Sequence, residues 1–147
     1  ELRTVDTVLL LDVLEHMVNP WAHLQFLARH LAADTQVIVS LPNIGFLGVL
    51  ADLAEGRFHY QTAGILDVTH MRFFTKAEML AMFEQTGFHM QHVAPLSGNW
   101  PEPLPGYPWQ VSAGKLTVTV DSPEAWEAMN TIQFGFRLVP ARPPAAA

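Results

Sequence analysis

The chain has no cysteine, which removes disulfide frameworks and thiolate metal sites from consideration. It is also poor in basic residues, with 8 Lys and Arg against 14 Asp and Glu and a formal net charge of -6. A general nucleic-acid binder needs a basic face, so this balance argues against nucleic acid as a partner. Only 15% of the residues are charged while 50% are hydrophobic, which excludes a disordered chain. No apolar run reaches the length of a membrane span. The lack of cysteine and of a span fits a cytoplasmic protein. The 147 residues suffice for one domain with its own core. They begin at Glu1 and not at Met, so the chain is expected to be a piece of a longer protein.

What is present starts with "LLLDVLEH" (9–16), an apolar run that stops at Asp12 and delivers Glu15 and His16 within four positions. "VDTVLLLD" (5–12) is short, aliphatic and nearly continuous, the pattern of a strand buried on both faces. Asn19 and Pro20 then suit the cap and first turn of a helix whose Leu24, Leu27 and Leu31 share a face. "QVIVSLP" (36–42) repeats the buried-strand pattern, and strand–helix–strand at these lengths predicts a right-handed, parallel βαβ unit.

Asn43 is expected to cap a further helix that stops at Gly56. Residues 56–74 are irregular and rich in aromatic residues and histidine. Thr75 and Glu78 form a capping box, Phe74 can staple onto Met79, and Gly87 ends that helix. "FHMQHVA" (88–94) reads as a strand. Residues 95–114 hold five prolines and three glycines and are expected to be a loop without regular structure. "KLTVTV" (115–120) is a strand, Ser122 and Pro123 start a helix, and 132–139 is a last strand. Residues 140–147 are expected to be a disordered tail.

Ligands of open parallel sheets bind beyond the carboxyl ends of the strands. Asp12, Glu15 and His16 follow one such end, and Pro42 and Asn43 follow the next, so "DVLEH" and "SLPN" should share a crevice. An equally open alternative makes Asp12 a turn cap and Glu15 and His16 solvated loop residues.

Three motifs in order, "DTVLLLDVLEHMVNPWAHL", "VIVSLPN" and "GRFHYQTAGILDVTHMRFFTKAEMLAMFEQTGF", resemble the C-terminal half of class I S-adenosylmethionine-dependent methyltransferases. They are similar to a branch with LEH, PN and TH-x-RFFT motifs, often found beside glycosyltransferase modules. The resemblance spans about residues 5–88. It implies an α/β fold, a partial Rossmann-like sheet of strands four to seven with the last antiparallel, filling residues 1–139 with flanking helices. It also implies S-adenosylmethionine as cofactor and a small-molecule or sugar-derived acceptor. The family's Gly-rich loop after its first strand is not in these residues, so the fragment is expected to be inactive alone.

By the same resemblance, Leu11 and Asp12 lie near the cofactor's methionine part, while Glu15 and Asn43 lie toward the acceptor. His16, His70 and Arg72 are the catalytic candidates. Histidine is the side chain type that ordinarily changes charge near neutrality, so His16 suits a general base. Arg72 either holds an anionic group bidentately or pairs with Asp67 to fix the loop. No metal is assigned. The one set that suits a divalent ion is Asp12, Glu15 and His16, because related small-RNA 3′-end and ubiquinone-pathway O-methyltransferases use an E-x-x-E-H cluster. Two rivals stand beside the enzyme: a non-catalytic docking half-domain associated with a glycosyltransferase, and a metal-dependent O-methyltransferase. Without strands one to three, residues 5–11 form an unprotected edge, and a homodimer through that strand is expected.

Overall fold

The computed structural model describes residues 2–98 and 106–141. After a short 3-10 turn come β1 (Thr7–Leu11), a second 3-10 turn (Leu14–His16), α1 (Pro20–His30), β2 (Gln36–Pro42) and α2 (Leu47–Ala54). There follow α3 (Lys76–Gln85), β3 (Phe88–Gly98), β4 (Trp109–Ala113), β5 (Leu116–Val120), α4 (Pro123–Asn130) and β6 (Thr131–Pro140).

The main sheet has the order β1-β2-β6-β3. β1 and β2 are parallel, with Leu11 opposite Ser40, and β6 runs antiparallel to both β2 and β3. This is the expected order of strands four, five, seven and six, with the last strand antiparallel. β4 and β5 form a separate hairpin inserted between β3 and α4.

The two faces of the sheet are covered unequally among the described residues. Val37, Val39 and Leu41 alternate along β2, as do Phe134, Phe136 and Leu138 along β6, and all are buried. They pack with Leu24 and Leu27 of α1 and with Met79, Met82 and Phe83 of α3. Side chains one position out of phase point the opposite way. There Leu9 and Leu11 are 61% and 51% exposed, so β1 is not buried on both faces as its composition suggests. It lies at the edge of the sheet, and among the described residues no helix covers its second face.

Local signals behave as expected at three helix starts. Asn19 accepts from the Ala22 amide, Thr75 from Glu78 and Ser122 from Ala125. Gly87 follows α3 with φ of 89°, a conformation only glycine enters freely. Asn43 does not cap α2, whose N-cap is Phe46. The Pro/Gly-rich stretch is not structureless, because β3 runs on to Gly98 and β4 occupies Trp109–Ala113. The carbonyls and amides there find partners across β6 and β5, which outweighs local turn propensity. Residues 99–105 of that stretch, and 142–147 of the expected tail, lie outside the described residues, whereas Pro140 still belongs to β6.

The hairpin is tied back to α2. Lys115 donates its amide to Glu55 Oε1 at 3.0 Å and sets its Nζ 2.9 Å from Oε2. Leu47, Ala113, Val120 and Trp126 form the small core beneath it. No helix among the described residues is long and apolar enough to cross a membrane.

Candidate functional site

Three strand ends converge at one edge of the sheet. β1 stops at Leu11, β2 stops at Pro42, and β6 starts beside it, with Gln133 opposite Pro42. Past Leu11 the chain turns sharply at Asp12, whose φ is 54°. Aspartate is one of the few residues other than glycine that tolerates this region. The Asp12 amide donates to Ser40 Oγ at 3.0 Å, and the Ser40 hydroxyl donates to Asp12 Oδ1 at 3.0 Å. Gln133 Nε2 donates to the same Oδ1. Side chains from two strands, β2 and β6, therefore hold one carboxylate oxygen at the end of a third.

The turn Leu14–His16 follows. Leu14 is buried in the main core and carries Glu15 down with it, so that Glu15 is 0% exposed. Neither Glu15 carboxylate oxygen has a hydrogen-bond partner among the described residues. Burial pushes its carboxyl above the usual range and Asp12 adds to that, while its own backbone amide, His70 and His16 pull the other way. The Glu15 carbonyl accepts from the amides of Met71 and Arg72 at 2.8 and 3.0 Å, which clamps the irregular 57–75 segment onto this turn.

That clamp brings "LEH" and "TH" together. The His16 and His70 rings meet edge to face at 4.8 Å. His70 Nδ1 lies 3.0 Å from the Ile65 carbonyl, and His16 Nδ1 lies 3.2 Å from the Thr69 carbonyl. A carbonyl only accepts, so both Nδ1 atoms carry a proton, and in the neutral form of each ring Nε2 then presents the lone pair. Thr69 also holds Asp67: its hydroxyl donates at 2.6 Å and its amide at 2.8 Å, which keeps the exposed Asp67 carboxyl below its ordinary range.

These groups line a cleft of about 260 Å³ with Pro42, Gly64, Ile65, Ile132 and Gln133. Asp12, Glu15, His16 and His70 are thus brought together. Asn43, Leu11 and Arg72 are not among the lining residues. Asn43 Nδ2 donates to the carbonyls of Ala128 and Thr131 at 2.7 and 2.8 Å, and its Oδ1 accepts from Gly45, so its amide braces the backbone. Arg72 donates to the carbonyls of Val18 and Met71, and neither pairs with Asp67 nor faces the cleft. Ser40 and Gln133 were not anticipated. The pairing of Leu11 with Ser40 could have pointed to Ser40, whereas nothing local marks Gln133.

A metal set also emerges, altered from the sequence expectation. Glu15, His16 and His70 each offer one ligand atom, all within 4.8 Å of one another. His70 stands where Asp12 was expected, because Asp12 is already engaged by Ser40 and Gln133. Two imidazoles oriented by backbone carbonyls and a buried carboxylate fit the donor preferences of a divalent ion.

The model of a methyltransferase domain family matches residues 1–93. No curated protein matches the chain. Among solved structures it is similar to an S-adenosylmethionine-dependent methyltransferase from Thermotoga maritima, described as a possible histamine N-methyltransferase. The TM-score is 0.52 at 14% identity, over 91% of this chain and 55% of that one. It is also similar to a structure of the Haloferax volcanii Trm112 methyltransferase activator in complex with a methyltransferase, with TM-score 0.50 at 15% identity, over 98% of this chain and 57% of that one. The chain spans a little over half the length of both. The sheet order, the cleft at the strand ends and the matched residues agree, and the chain belongs to the methyltransferase domain family.

Proposed function

We propose that the protein containing this chain transfers a methyl group from S-adenosylmethionine to a small-molecule or sugar-derived acceptor, and that residues 1–147 supply the acceptor side of the site. The observation that carries this reading is the cleft at the carboxyl ends of β1 and β2, lined by His16 and His70 with free Nε2 atoms, in a chain of the methyltransferase domain family. The sulfonium of the cofactor is already a strong electrophile, so placement of the acceptor dominates the rate. A hydroxyl acceptor must also lose a proton. His16 Nε2 takes it, while the Thr69 carbonyl steadies the proton on Nδ1. His70 packs against His16 and keeps its ring in place.

Asp12 and Leu11 are proposed to lie on the cofactor side, past the end of β1. The family's Gly-rich loop is not in these residues, so the isolated chain binds S-adenosylmethionine only weakly. A cytoplasmic location and a glycosyltransferase module in the same protein belong to this proposal, as does self-association through the β1 edge. His16→Ala in the intact enzyme should cut turnover far more than cofactor affinity. An unchanged rate removes His16 from the chemistry.

The Glu15–His16–His70 triad favours a second reading, a metal-dependent O-methyltransferase. A bound divalent ion would lower the pKa of an acceptor hydroxyl. Calorimetric titration with Zn²⁺ or Mn²⁺ tests it: wild type should bind and His70→Ala should not. Absence of binding leaves the metal-free reading.

A further inference from the structure

Asp67 lines the cleft, and neither reading gives it a task. Arg72, its expected ion-pair partner, donates elsewhere. Asp67 closes instead on its own loop. One oxygen, Oδ1, accepts from the Thr69 hydroxyl at 2.6 Å and from the Thr69 amide at 2.8 Å. The Thr69 hydroxyl in turn lies 3.2 Å from His16 Nδ1, and the Thr69 carbonyl lies at the same distance.

A hydroxyl has one proton to give. With that proton committed to Asp67, the Thr69 hydroxyl oxygen can only accept at His16. Nδ1 therefore faces two acceptors on Thr69 and no donor there. Without Asp67 the hydroxyl is free to rotate and donate to Nδ1. That exchange favours the neutral ring with its proton on Nε2, the nitrogen that must stay bare to act as a base.

We infer that Asp67 is a positioning residue: it turns the Thr69 hydroxyl into an acceptor and so holds the neutral His16 ring with its proton on Nδ1 and its lone pair on Nε2. The inference rests on the methyl-transfer reading for its purpose, because that lone pair is what takes the proton of a hydroxyl acceptor. The relay works through the direction of hydrogen bonds and not through charge. It does not reach His70, whose Nδ1 is held by the Ile65 carbonyl 3.0 Å away. The His70 ring touches His16 and belongs to the same loop as Asp67, so it serves as an internal control.

The histidines of the 147-residue protein are isotope-labelled, and NMR reads which ring nitrogen carries the proton. Spectra are recorded at about pH 9, where imidazoles are neutral, with EDTA present so that no metal takes a lone pair. His16→Gln and His70→Gln assign the signals. Asp67 is no part of the hydrophobic core, so its replacement leaves the fold intact. Wild-type His16 should carry its proton on Nδ1. Asp67→Ala should lower the ratio of the Nδ1–H to the Nε2–H form about fivefold, the factor that one ordinary hydrogen bond supports, and leave His70 unmoved. Asp67→Asn keeps an acceptor at Oδ1 and should keep the wild-type ratio. Adding Thr69→Val to Asp67→Ala removes the freed hydroxyl, leaves the carbonyl, and should restore the Nδ1–H form.

A wild-type His16 protonated on Nε2, or an unchanged ratio in Asp67→Ala, overturns the inference. An equal change at His70 overturns it too, since the loop would then have come loose as a whole. A double variant that stays like Asp67→Ala shows that the effect does not pass through the hydroxyl. An Asp67→Asn variant that behaves like Asp67→Ala places the effect in the charge, and either result rejects the relay. No acceptor or cofactor enters the measurement, so failure of a methyl-transfer assay and failure of this inference are separate results.

Discussion

Asn43 separates two roles that a sequence motif cannot distinguish. As a ligand contact its loss would reduce binding and leave folding intact. In the structure it is 1% exposed and makes three side-chain hydrogen bonds, two to the carbonyls of Ala128 and Thr131 and one from the Gly45 amide. These tie the end of β2 to the junction of α4 and β6. A neutral hydrogen bond contributes on the order of 1 kcal/mol net, and its loss leaves a buried group unpaired, so Asn43→Ala should cost about 3 kcal/mol. For a chain of this size that lowers Tm by about 6–12 °C. Asn43→Asp should be worse. It keeps an acceptor for Gly45 but turns a carboxylate oxygen toward two carbonyls. Urea unfolding followed by far-UV circular dichroism reads both variants through the shift in midpoint at constant slope. A stability within about 0.5 kcal/mol of wild type for Asn43→Ala, well below the hydrogen-bond estimate, would refute this bracing role. Lost ligand binding in that same stable variant would return Asn43 to the cleft.

Glu15 should make stability fall as pH rises. Its folded pKa is raised from 4.5, so its contribution is full below the unfolded value and is lost as pH passes through the folded one. Comparing thermal unfolding from acidic to neutral pH, Glu15→Gln should gain on wild type as pH rises; parallel curves would contradict the assigned burial. Ser122→Ala removes the cap on the Ala125 amide and should cost about 1 kcal/mol, read as a lower urea midpoint. At the sheet edge, Leu9 and Leu11 are both exposed, so the chain should self-associate, and Leu9→Lys should shift it toward monomer in sedimentation velocity. A wild-type chain that sediments as a monomer would sink the edge-pairing idea.

The sequence alone determined whatever depends on neighbours along the chain. Apolar runs bounded by caps marked β1, α1, β2 and α3, because burial pattern and capping are local. The parallel βαβ geometry followed from handedness, and it placed Asp12, Glu15 and His16 at a strand end beside Pro42. Tertiary structure decided what depends on distant segments. Asn43 and Arg72 spend their donors on backbone carbonyls of residues outside the cleft lining, and their residue types do not reveal it. Gln133 reaches Asp12 only because β6 inserts antiparallel beside β2. His70 joins His16 only because the Glu15 carbonyl clamps Met71 and Arg72 across more than fifty residues. The same packing left the Glu15 carboxylate buried without a hydrogen-bond partner among the described residues, which no pattern of residues announces.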